Sequence, residues 1–223
     1  MKKKFKLKVL SILMAVLMIA TIIPMGAISS FAFTSGDYEY RVVSETYNTA
    51  EITKYNGTDG DVTIPSKIDS YIISGIGYEA FRDCTGLKSV TIPYCISFIY
   101  YSAFDGCTNL TAINVSEDNT KYSSVDGILY RDKTTLLIYP QGKSGEVTVP
   151  TGVTSIGTSA FEGYSAFEGC TGLKGVTIPN SVTSIGDSAF NGCTGLTSVT
   201  IPNSVTSIGD SAFRGCTGLT VIN

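Results

Sequence analysis

GVTIPNSVTSIGDSAFNGCTGLT (residues 175–197) runs directly into SVTIPNSVTSIGDSAFRGCTGLT (198–220), a 23-residue unit repeated with two differences. Internal repetition at such a period is the mark of a stacked-repeat architecture. The same frame extends toward the N-terminus. Units begin near Val62, Val90, Ile113, Val147, Val176 and Val199, with Ile222 opening another, at spacings of 28, 23, 34, 29, 23 and 23 residues. Each unit carries apolar residues at common offsets: Val176, Ile178, Val182, Ile185, Ala189, Phe190, Cys193 and Leu196 in one, Val90, Ile92, Ile96, Ile99, Ala103, Phe104, Cys107 and Leu110 in another.

One unit is too short to bury eight such side chains by itself, and stacking against its neighbours does so. The Val-Thr-Ile triplet alternates as a short half-buried strand. Pro65, Pro93, Pro150, Pro179 and Pro202 follow it and end the hydrogen-bond ladder, because proline has no N–H to donate. Ser-Ala-Phe reads as a tight helical or 3₁₀ turn returning the chain. The expectation is a β-rich solenoid of about six coils of ~23 residues over 62–223.

Leu196-x-x-Val199-x-Ile201-Pro202-x-x-Val205-x-x-Ile208-x-x-x-Ala212-Phe213 resembles the BspA-like (treponemal-type) leucine-rich repeats of bacterial surface and secreted proteins, over about residues 37–223. The resemblance implies a right-handed, strand-rich solenoid with a role in adhesion or ligand recognition. The commoner leucine-rich repeat has an asparagine after the strand. Asn180 and Asn203 lie near that place, but Ser66, Tyr94 and Thr151 replace them elsewhere, so no continuous asparagine ladder is expected.

Three regions depart from the unit. Residues 33–61 precede it, and Tyr38–Val43 alternating against 50–54 predicts an N-terminal β-hairpin cap. An insert at about 116–146, with Asp126-Gly127 and Arg131-Asp132-Lys133 turn signals, predicts a projecting hairpin. SAFEGY (159–164) directly precedes SAFEGC (165–170), a duplication in which Phe161 keeps its spacing from Ile156 and Phe167 its spacing to Cys170. Only one of these two rings fits the core slot. The chain stops at Asn223, at the start of another strand with no polar capping unit. The expectation is a missing C-terminal continuation or an edge open to self-association.

Residues 1–32 read as a secretory signal: five lysines, an apolar run over 9–23, and small residues at Ser30 and Ala32. The run is shorter than the roughly 20 residues that span a bilayer, so no stable membrane insertion is expected after cleavage. Its loss leaves 11 basic against 19 acidic residues, a net charge of −8, with no basic cluster to hold nucleic acid. The chain reads as a bacterial protein that is secreted or on the cell surface.

Catalysis is disfavoured. The chain has no histidine, which removes Ser-His and Cys-His designs, and nothing nominates a carboxylate pair. No cysteine pair has CxxC spacing, and neither a metal nor a cofactor is expected. Cys84, Cys107, Cys170, Cys193 and Cys216 share one offset. They read as a column of small buried thiols, with bridging between adjacent coils left open by distance alone.

The functional signal is aromatic. Where later units have Gly186-Asp187 and Gly209-Asp210, earlier ones have Gly77-Tyr78 and Tyr100-Tyr101, with Tyr71 and Tyr94 at neighbouring variable positions. Stacking places Tyr78 beside Tyr101. The five tyrosines are candidates for contact with a protein or glycan ligand, the alternative being rings packed beneath the insert or on a plain polar surface. The predicted role is a non-catalytic adhesion or interaction module, or else a passive spacer or accessory part of a longer protein.

Overall fold

The computed structural model describes residues 32–157 and 165–223. The leader, apart from Ala32, and the first copy of the duplication lie outside these residues. Among them, no helix is long and apolar enough to cross a membrane.

Every repeat contributes two short strands to two parallel ladders. In the first ladder, Asp61–Thr63, Ser89–Ile92 and Ala112–Val115 pair with Val62, Val90 and Ile113 in register. After the insert, Gly145–Thr148, Leu173–Thr177, Ser198–Thr200 and Val221–Ile222 align Val147, Val176, Val199 and Ile222. In the second ladder Ile76 faces Ile99, and Leu136, Ile156, Ile185 and Ile208 form a continuous row. Where a tight helical or 3₁₀ turn is expected, Ser-Ala-Phe forms hydrogen-bonded turns that return the chain, with Asn191 N–H donating to the Ser188 carbonyl three residues back at 2.9 Å. This third side is also laddered: Ser188, Phe190 and Gly192 donate to Asp210, Ala212 and Arg214.

Strand spacing fixes ring spacing. Phe167 and Phe190 stack with centroids 4.7 Å apart, and Phe190 and Phe213 at 5.0 Å, close to the ~4.8 Å between paired strands. Near-parallel planes at that separation are offset stacks, the favourable arrangement for two quadrupoles. Each buried phenylalanine contributes roughly 1.5–3 kcal/mol of transfer free energy. Phe167 is fully buried between Tyr139 and Phe190, so the second copy of the duplication fills the core slot.

Cysteine and threonine side chains recur as inter-repeat hydrogen-bond donors, whereas asparagine contributes only at scattered positions such as Asn109, Asn119 and Asn191. Cys107, Cys193 and Cys216 each donate S–H to the phenylalanine carbonyl of the preceding repeat (Phe81, Phe167, Phe190) at 3.0 Å. Thr197 and Thr220 donate to the carbonyls of Lys174 and Thr197 at 3.2 Å, and Thr183 and Thr206 to those of Thr154 and Thr183 at 3.3 Å. All six thiols are free, and burial pushes Cys107 and Cys193 up to about 12.

The insert does not project. Tyr122–Val125 and Ile128–Arg131 form an antiparallel hairpin, and Ile128–Arg131 pairs onward with Thr135–Ile138, which joins the second ladder beside Ser155–Ile156. Leu129 and Leu137 pack into the core of the N-terminal repeats, while Ile128, Tyr130 and Leu136 pack into that of the C-terminal repeats. The hairpin is a partition buried on both faces. Turn signals showed its ends correctly, but the unbroken apolar run Ile128-Leu129-Tyr130 was the mark of a strand covered on both sides. Toward the N-terminus, Tyr38–Ser44 pairs antiparallel with Thr49–Tyr55, which runs parallel to Tyr71–Ile76.

Two outcomes follow for this core. Native-state alkylation read by peptide mass should modify Cys84, Cys95 and Cys216, which are partly exposed, and spare Cys107, Cys170 and Cys193 until denaturant is added. Deleting residues 159–164 restores the 23-residue spacing while keeping Phe167 in its slot. It should raise the melting temperature, and a fall would show that the first copy is needed for packing.

Candidate binding surface

The outward face of the N-terminal sheet carries one cross-strand row. Arg41 is paired with Glu51, Glu51 with Gly75, and Gly75 with Phe98. Alternation turns Ala50 and Ile52 into the core and Glu51 to the other face. Glu51 is nonetheless only 3% exposed, and its carboxylate accepts from Arg41 Nε in an ion pair. A buried carboxylate without such a partner would be strongly destabilising. Gly75 is required by close approach: a Cβ there would lie 2.0 Å from the Phe98 ring. Phe98 lies over that glycine and meets Tyr100 edge-on at 6.0 Å.

Two residues further along, the turns after Ile76 and Ile99 bring up Tyr78 and Tyr101. Their rings meet at 6.0 Å and 74°. Arg41, Glu51, Thr53, Tyr78, Tyr100 and Tyr101 line an open cleft of about 370 Å³. Tyr78 is 54% exposed, and Tyr100 and Tyr101 are 41% and 45% exposed. Hydrogen bonding to and repulsion by the Glu79 carboxylate raise the Tyr78 phenol above its ordinary value, so it stays a neutral donor. Thr53 Oγ1 is buried at the cleft without a protein partner.

Three of the five candidate tyrosines, Tyr78, Tyr100 and Tyr101, therefore converge. Tyr71 does not join them: its hydroxyl donates to the Glu45 carboxylate at 3.2 Å and its ring packs on Tyr40. Tyr94 is exposed away from the cleft. Tyr101 also borders a second cleft, about 170 Å³, with Phe104, Asp105, Tyr139, Gln141 and Glu168, where the aromatic stack is interrupted beside the insert. Sequence reasoning missed Arg41, Glu51 and Thr53. The available signal was Glu51, a charge in the middle of a predicted strand.

No group of three or more potential metal ligands is found among the described residues. Thr63 and Thr91, and Thr148, Thr177 and Thr200, align in register on the first ladder, as the repeat requires.

A strand-rich stack of 23-residue units with an aromatic surface cleft defines a leucine-rich-repeat class of protein. The model of the BspA type leucine rich repeat region matches in six copies, over residues 60–126 and 139–223, and the chain belongs to that family. A leucine rich cell surface protein from Faecalibacterium prausnitzii is 31% identical, with a TM-score of 0.54; the match covers 87% of this chain and 54% of that one. The chain thus spans about half the length of that relative. A leucine-rich repeat protein from Eubacterium ventriosum, at 22% identity and TM-score 0.52 over 85% of this chain and 70% of that one, shares the fold. No functionally curated protein matches the chain.

The second cleft yields a pH prediction. Desolvation first, then the Glu168 carboxylate, pushes Asp105 up to about 6, with Glu79 and Asp83 adding to the rise and Arg82 opposing it. A carboxyl raised above its unfolded value of about 3.9 contributes stability below that value, lost as pH rises through about 6. Asp105 as a residue is exposed, so solvent screening keeps the effect small. Denaturation midpoints between pH 4 and 7 should fall less steeply in Asp105→Asn than in the unmodified protein; identical slopes would remove Asp105 as their source.

Proposed function

We propose that this chain is a non-catalytic binding module, secreted or displayed on a bacterial surface, that engages host or neighbouring-cell macromolecules through the Tyr78–Tyr100–Tyr101 cleft. In this reading the fold is a right-handed solenoid of about six coils, and the Tyr38–Ser44 and Thr49–Tyr55 hairpin is its N-terminal cap. One observation carries the reading. The tyrosines replace the Gly-Asp of the repeat, so stacking does not demand them, yet they gather at one cleft and leave large apolar surface exposed. The F. prausnitzii relative is a cell surface protein, which supports the location. The absence of histidine supports a role in binding over one in nucleophilic catalysis.

A second reading, a spacer or accessory part of a longer protein, is favoured by the 54% coverage of that same relative. Binding of the purified chain to intact host epithelial and bacterial cells separates the two. Tyr78→Ala with Tyr101→Ala should weaken cell binding by about tenfold, in line with the loss of an aromatic contact worth more than 1 kcal/mol. Thr177→Ala with Thr200→Ala, on the other ladder, should leave it unchanged. Equal binding by both double variants would favour the spacer.

A further inference from the structure

We infer that the tyrosine cleft takes a neutral saccharide, with a sugar ring against the tyrosines and its hydroxyls bonded at Arg41, Glu51 and Thr53. The inference rests on the cleft being the binding site proposed above, and it names the ligand class.

Charge is the first argument. The cleft holds one cation and one anion, already joined as the Arg41–Glu51 pair. A carboxylate or sulfate ligand would come against the buried Glu51 carboxylate, which already shares the one guanidinium. An ammonium ligand would meet Arg41, and Glu51 is already committed to that residue. Either ligand brings a like charge against a pair that is already neutral. A net acidic chain adds long-range repulsion of polyanions. A neutral polyol meets neither repulsion. It adds hydrogen bonds to a pair that remains intact.

Hydrogen-bonding capacity is the second. Arg41 uses Nε for Glu51, and its side chain is 45% exposed, which leaves the terminal N–H groups facing the opening. Thr53 Oγ1 can both donate and accept, is buried, and has no protein partner. A buried hydroxyl left unsatisfied is destabilising, so the cleft gains from an occupant able to donate and accept at that point. Vicinal sugar hydroxyls do both.

The rings and the size complete the case. Aromatic faces are negative and attract the polarised C–H groups of a pyranose face. Phenol hydroxyls at the ring edges add polar contacts that a purely apolar groove would lack. A cleft of about 370 Å³ lies within the range of small-ligand sites, whereas a stable protein interface needs roughly 800 Å² from each partner.

The test uses tyrosine fluorescence and calorimetry on the whole chain, with neutral probes (cello-, manno- and N-acetylglucosamine tetrasaccharides) and charged ones (polygalacturonate, heparin). At least one neutral probe should saturate the protein, with binding unchanged between about 0.05 M and 0.5 M salt. Tyr78→Ala with Tyr101→Ala, and separately Thr53→Val, should each weaken it about tenfold or more. Tyr78→Phe with Tyr101→Phe, which keeps the rings and the packing, should retain most of the affinity. Binding of the charged probes alone, lost at high salt, overturns the inference. So does failure of every neutral probe while the tyrosine variants still lose cell binding, a result that spares the broader reading. If those variants bind cells normally, the binding reading itself falls.

Discussion

The structure depends on contact between one repeat and the next, set at the distance of a parallel β-ladder. No single unit encloses its own apolar side chains, so each strand pair, phenylalanine stack and thiol hydrogen bond crosses from one unit to its neighbour. The ~4.8 Å strand spacing matches the distance at which aromatic rings stack with offset. Phenylalanine at this offset is therefore compatible with the ladder at every level, and Tyr139 can stand in for it beside Phe167. Cysteine at its own offset is small enough for the remaining volume, and its S–H adds a second hydrogen bond to a phenylalanine carbonyl that already accepts a backbone N–H. The raised thiol values of Cys107, Cys170 and Cys193 come from that burial, which disfavours the reactive thiolate at these three positions.

Stacked architectures of this kind tolerate interruptions only if the interruption presents an apolar face on both sides. The insert does this with one hairpin and one returning strand, contributing Leu129 and Leu137 to one cluster and Ile128, Tyr130 and Leu136 to the other. Among the described residues, the first ladder and the aromatic stack both break at this place: Phe104 has no described ring partner toward Tyr139, and the strand Ala112–Val115 does not pair with Gly145–Thr148. The partition preserves burial while giving up continuity. That leaves room for the small cleft where Asp105 and Glu168 lie together, and it explains why a carboxyl there is desolvated.

Much of the repeat was legible because its physics is periodic. Strand register, proline stops and the burial of Phe190 and Cys193 all follow from offsets counted along the chain. The insert was less legible because its strands obey a different rule, burial on both faces, which a short apolar run signals only weakly. The cleft was legible in part. Tyr78 and Tyr101 follow from the 23-residue step, since equivalent offsets stack. Arg41, Glu51 and Thr53 come from outside the repeat, and their position depends on the register between Tyr38–Ser44 and Thr49–Tyr55, including its bulges, which no count of offsets supplies.

A near-perfect repeat also provides its own reference for what the fold needs. Glu79, Ser188 and Ser211 occupy one offset with left-handed φ values of 56°, 51° and 56°, whereas Ser102 at that offset lies outside the left-handed region, with its hydroxyl buried and unpartnered. The turn carrying Tyr100 and Tyr101 therefore differs from those of Glu79, Ser188 and Ser211. Tyr100 stands where these three units have glycine, and Phe98 covers Gly75, a residue the sheet could otherwise have filled with a side chain. These changes fall in one repeat and on one face, and they expose aromatic surface instead of burying it. The stack supplies the stability of the chain, and these departures from the repeat gather on the face for which recognition is proposed above.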